Sequence, residues 1–176
     1  MKWFLKGLLV LSVIPLQSIV LEKIQIGGIK PDLALVLVFF QGWFFGVANG
    51  LYWGAALGGL LDLFSLGILG VGLVAKGLVG LVAGLLGKSF LHLSIPLHLI
   101  IFMAVSVIHD LAGSFFLHGA DLSLFQAGLG EVLSRAAYNS LFGLGYIFLV
   151  RPSAGNQGEL AYGGTIFPSG RSRLRK

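Results

Sequence analysis

Seven side chains bring a charge or a carboxamide into otherwise apolar runs of this sequence: Asp32, Asp62, Lys76, Asp110, Glu131, Arg135 and Asn139. Acids and bases in such places could relay protons, hold a polar solute or fix helices in register. Their spacing bears on the choice. Gly42 and Gly46 lead by steps of four to Gly50, Gly54, Gly58 and Asp62, and a second row holds Gly72, Lys76, Gly80 and Gly84. Two further rows are Ser106, Asp110, Ser114 and Glu131, Arg135, Asn139, Gly143. Residues four apart share a helix face, and glycine lets two backbones approach where apolar side chains have no drive to associate. The rows therefore read as packing faces, and the ionisable groups should point inward with them. A lipid-facing Asp, Lys or Arg at mid-membrane costs at least about 2.5 to 3.5 kcal/mol. Glu131 and Arg135 pair along one helix, and Lys76 should reach Asp62 or Asp110. Among Asp62, Lys76, Asp110, Glu131 and Arg135, three acids and two bases, one carboxyl is left over, either protonated or facing water. The cluster is then either internal glue that sets helix register, or a polar cavity that admits a ligand or partner.

Other chemistry finds little support. No serine lies in a nucleophile motif. Gly70-Val71-Gly72-Leu73-Val74-Ala75 fits a dinucleotide fingerprint but lacks the strand before it and the acid about 20 residues later. His92, His98, His109 and His118 have no ligand spacing with one another or with an acid on the same face. The absence of cysteine excludes disulfides and thiolate metal sites. The expectation is a protein that is not an enzyme and holds no cofactor or metal.

The elements that must position these residues follow from composition. Of 176 residues 56% are hydrophobic and 11% charged, with 27 glycines, and the mean hydropathy is +0.94. Soluble domains carry about 25% charged residues, so the solvent of this chain is lipid. At about 20 residues per span, the part ahead of Arg151 predicts an all-α integral membrane protein, a six-span helical bundle with glycine-rich packing faces. The predicted spans are 3–21, 31–47, 50–66, 68–86, 96–117 and 124–150. The first lacks a small-x-small cleavage site and reads as a retained helix rather than a signal peptide. Pro31 and Asp32 open the second. Asn49-Gly50 is the turn signal between the second and third, which are short enough to form either two crossings or a re-entrant hairpin. Ser123 and Gln126 form a capping box for the last. Residues 151–176 form a basic tail expected to be disordered and to rest on anionic lipid headgroups.

With both termini on one side, that side holds Lys2, Lys6, Lys88, Arg151, Arg171, Arg173, Arg175 and Lys176, and the other only Lys23 and Lys30. The bias places both termini in the cytoplasm. The net charge of +5 is thus a topology signal rather than a sign of nucleic-acid binding. Counted at about 1.5 Å per residue from the inner ends, Lys76, Asp62, Asp110, Arg135 and Glu131 lie about 15 to 28 Å out, all in the outer half.

Three stretches then resemble the rod-shape-determining MreD family. They are Pro31-Asp32-Leu33; Gly58-Gly59-Leu60-Leu61-Asp62-Leu63 followed by Ser65 and Gly67; and Ala136-Ala137-Tyr138-Asn139. The resemblance runs to Val150, and the polar tail departs from it. It implies a non-enzymatic scaffold of the bacterial inner membrane that binds the bitopic protein MreC and couples the MreB cytoskeleton to the peptidoglycan synthases of the elongation complex. It also implies a helical arrangement similar to the substrate-binding S-components of energy-coupling-factor transporters. Asp32, Asp62 and Asn139 lie in the matching motifs, whereas Lys76, Asp110, Glu131 and Arg135 rest on spacing alone. A vitamin-type solute-binding transport subunit is the competing expectation, and a proton-coupled carrier is disfavoured because no two-half repeat is visible.

Overall fold

A computed structural model of the chain describes residues 23–64, 69–90, 94–118 and 122–150. The first predicted span, the tail from Arg151, His92, and the Ser65 and Gly67 of the second motif lie outside the described residues, as do the side chains of the Ser123–Gln126 capping box and of His118. Among the described residues the protein is all-helical, with five helices: α1 Leu33–Phe45, α2 Val47–Phe64, α3 Val71–Phe90, α4 Ile95–His118 and α5 Leu122–Val150. Two helical stretches, Val71–Phe90 and Ile95–Phe115, are long and apolar enough to cross a membrane.

Each boundary has a local cause. The run ahead of α1 turns back on itself at Gly27-Gly28, both with positive φ, and Ile26 and Ile29 exchange two backbone hydrogen bonds of 3.0 Å around them. That is the two-residue hairpin conformation glycine favours. Asp32 caps α1, its carboxylate accepting the Leu35 N–H at 2.9 Å. Pro31 therefore precedes the cap rather than opening the helix.

The turn expected at Asn49-Gly50 lies instead at Gly46, whose φ of 88° and ψ of 174° break the helix. No side chain suits that φ, and Gly46 serves as the hinge rather than as a packing position. Asn49 is inside α2 and donates from its amide to the Phe45 carbonyl at 2.8 Å, satisfying an acceptor that the end of α1 leaves over. Asn49 thus acts as a cap for the helix before it, which is why its turn signal misplaced the break by one helical turn.

The hinge folds α2 back along α1, and α3 packs against both. Gly42, Gly50 and Gly80 meet there: a Cβ on Gly42 or Gly50 would run into the Gly80 carbonyl, and one on Gly80 into the Gly50 backbone. The α2/α3 contact continues with Gly54 on the backbone of Lys76 and Gly77, and Gly58 on that of Gly72. Gly84 faces Val47 beyond the hinge. The two four-residue rows are therefore one antiparallel backbone contact. On the other flank α4 and α5 pair with each other, and α5 packs on α1.

α1 lies at the centre. Most of its side chains are buried, and Phe39, Phe40, Trp43 and Phe44 form an aromatic cluster with Phe102, His98 and Tyr146. At about 1.5 Å per residue its 13 residues span about 20 Å, less than the hydrocarbon core. The outer faces are apolar: Leu73, Val74, Leu78 and Leu85 on α3, Ile100 and Ile108 on α4, Leu141, Phe148 and Leu149 on α5 all stand exposed. Belts of this kind exceed what a water-facing surface carries.

The backbone contact predicts a contrast within α3. Gly80→Val should destabilise the protein by about 1 to 3 kcal/mol through overpacking. Gly77→Ala, where a Cβ meets nothing within 4 Å, should be near neutral. Denaturation in mixed detergent micelles, followed by helical circular dichroism, measures both; equal effects would contradict the packing.

A candidate polar site at one end of the bundle

The chain enters α1 at the end of the bundle where α2 finishes, α3 starts, α4 finishes and α5 starts. Every candidate polar residue is on this end. Asp32 is its hub. The Lys76 ammonium donates to Asp32 Oδ2 at 2.8 Å, and the Leu35 N–H occupies Oδ1. The Asp32 backbone N–H donates to Asn139 Oδ1 at 2.7 Å, and the Asn139 amide passes the chain on to Ser106 Oγ at 2.9 Å. One network thus joins α1, α3, α5 and α4. Asn139 and Ser106 are fully buried, and the side chains of Lys76 and Asp32 are 10% and 17% exposed.

Lys76 was expected to meet Asp62 or Asp110. It meets Asp32 because α1 runs parallel to α3 and brings its cap beside the second turn of α3. Asp62 is occupied elsewhere: from the end of α2 it accepts the N–H groups of Gly70, Gly72 and Leu73 at 2.9, 3.1 and 3.0 Å. It is therefore a cap for α3 supplied by the neighbouring helix, where the N-terminal dipole favours a negative charge. Its close approach is possible because residue 72 is glycine, whose Cβ would collide with the Asp62 carboxylate.

The α4 and α5 rows face each other in antiparallel register, with Phe102 against Gly143 and Ser106 against Asn139. One step outward, His109 Nδ1 lies 3.1 Å from Asp110 Oδ1 on α4. Arg135 pairs with Glu131 on α5. These last two depart from the expectation that every charge is sheltered: the Glu131 side chain is 55% exposed and that of Arg135 33%.

Ser106, His109 and the α3 N–H groups complete the site, and the sequence reading had not singled them out as site residues. The four-residue row already held Ser106; the others carry no spacing signal. Tyr138 also donates to the Ile24 carbonyl at 2.7 Å, tying the entering chain to α5. The aromatic cluster occupies the opposite half of α1. Among the described residues no group of three or more His, Cys, Asp or Glu comes together that could hold a metal ion. The chain matches no protein-family model, no curated protein and no solved structure.

An ion pair this sheltered has a predictable mutational signature. Removing one partner leaves an uncompensated charge and costs about 3 to 5 kcal/mol, whereas removing both is much milder. Lys76→Met alone should therefore destabilise more than Asp32→Asn combined with Lys76→Met. A double-mutant cycle of unfolding free energies tests this, and additive effects would count against the pair.

Proposed function

We propose that the protein is a scaffold subunit of the bacterial cell-elongation machinery, of the MreD type. In this reading it is a non-enzymatic, multi-pass protein of the inner membrane with six spans, both termini cytoplasmic and an arrangement similar to transporter S-components. It binds an MreC-type bitopic protein and so links the MreB cytoskeleton to the peptidoglycan synthases.

The observation that carries the reading is what the motif residues do. Asp32, Asp62 and Asn139 come from three separate stretches, and each ties two helices together: Asp32 with Lys76, Asp62 with the start of α3, Asn139 with Asp32 and Ser106. Polar residues that join helices to one another suit a scaffold, whose task is to present fixed surfaces. The exposed apolar belts suit a protein surrounded by lipid and by the spans of partners.

A solute-binding subunit would need polar groups turned toward a ligand, whereas the carboxylate oxygens of Asp32 and Asp62 and the amide of Asn139 already meet protein groups.

Depletion in a rod-shaped host should give rounded, osmotically fragile cells, and purification in mild detergent should bring down a single-span partner. Normal rods, or recovery of a transporter energising module instead, would overturn the proposal. Because the chain has no cysteine, single cysteines at Lys23 and Lys88 can be labelled in intact cells with no competing thiol on the chain itself. An impermeant maleimide should label position 23 and spare position 88.

A further inference from the structure

The outer layer of the α4/α5 seam contains two complementary atoms without partners. Asp110 Oδ2 is buried and accepts no hydrogen bond, and Arg135 Nε is buried and donates none. The register fixed by Phe102 with Gly143 and Ser106 with Asn139 puts Asp110 and Arg135 opposite each other one step further along. An unpartnered buried acceptor thus faces an unpartnered buried donor while the guanidinium is engaged by Glu131 on its own helix.

The four acids of the site are also unequally answered. Lys76 answers Asp32, the start of α3 answers Asp62, and Arg135 answers Glu131. Among the described residues Asp110 has a ring nitrogen of His109 on one oxygen and no lysine or arginine in ion-pair reach. With the helix start taken as the answer to Asp62, Asp110 is the acid of this site still short of a cation.

We propose that a membrane-spanning partner supplies it, with a lysine or arginine side chain that docks on Glu131 while Arg135 passes across the seam to Asp110. This rests on the scaffold reading, and it names the recognition chemistry of that partner. Glu131 is placed for the role: it is more than half exposed, with the exposed side chains Leu129 and Leu133 on either side of it. A long basic side chain on a neighbouring span reaches such a position by lying along apolar surface with its charge at the interface. After docking both acids have a cation, and α4 and α5 gain an ion pair between them. By linkage, whatever strengthens the Arg135–Asp110 pair also strengthens binding at Glu131.

The test uses the full chain in lipid nanodiscs with ¹⁵N-labelled arginine, where Arg135 is the one arginine ahead of residue 151. Its Nε–H resonance reports which acid it faces. Two synthetic polyleucine single-span peptides, identical except for one Lys or one Gln at the outer boundary, serve as probes. Glu131→Gln should move the resonance to a new position. The Lys peptide should drive the wild-type resonance toward that same position, the Gln peptide should leave it in place, and Asp110→Asn should abolish the movement. Binding of the Lys peptide should fall at least tenfold in Glu131→Gln, a variant at an exposed position that keeps its fold whatever becomes of Asp110→Asn. An unchanged resonance in Glu131→Gln, or equal responses to the two peptides, overturns the proposal. A protein that still co-purifies its single-span partner while Arg135 stays in place would leave the scaffold reading standing and sink this one.

Discussion

The ion pair between Lys76 and Asp32 is the constraint on which the arrangement depends. α1 starts within the polar end of the bundle, so its first N–H groups, unpaired within the helix, have to be closed by protein groups. A carboxylate can do this only if its own charge is answered. Lys76 answers it, and in return Asp32 allows an ammonium to sit inside the bundle. Each charge is tolerable because of the other, and the Leu35 and Asn139 contacts satisfy what remains. The pair also sets register: with Asp32 on Lys76, Gly42 falls opposite Gly80 and the hinge at Gly46 falls beside Gly84.

From that anchor the interior divides along its length. One end is polar, with a network joining α1, α3, α4 and α5 and with Asp62 of α2 on the start of α3. The other is aromatic, with the rings of α1 packed tilted or edge-on against those of α4 and stacked on Tyr146 of α5. The polar end specifies which helices meet and at what height, because hydrogen bonds between helices are directional. The aromatic end fills volume. The α2/α3 flank is joined by backbone against backbone, whereas the α4/α5 flank is joined by side chains and has unpartnered polar atoms in its outer layer.

Much of this was legible in the residues. Glycine at every fourth position gave both faces of the α2/α3 contact, and the polar rows of α4 and α5 turned out to face one another. Pro31-Asp32 marked the start of α1 to within two residues. What spacing along one chain could not express is partnership between chain segments. Asp32 lies in no row, so nothing in the sequence paired it with Lys76 across 44 positions. Asp62 looked like a charge in need of a cation, although three backbone N–H groups serve it as well. The hinge was misplaced because asparagine and glycine are turn formers in water, whereas here Asn49 caps the preceding helix from inside the next one. The surplus of one carboxyl was counted without Asp32; because Asp32 takes Lys76, both Asp62 and Asp110 are left without a lysine or arginine among the described residues.

The central claim is that Lys76 and Asp32 touch inside the bundle. The most direct measurement is rotational-echo double resonance in lipid bilayers between ¹⁵Nζ of lysine and ¹³Cγ of aspartate, with Lys76→Met as the reference that removes the signal of interest. An Nζ to Oδ2 separation of 2.8 Å requires strong dephasing that disappears in the reference. Wild-type dephasing no greater than that of Lys76→Met would show the two charges apart, and the closed start of α1 would lose its physical basis.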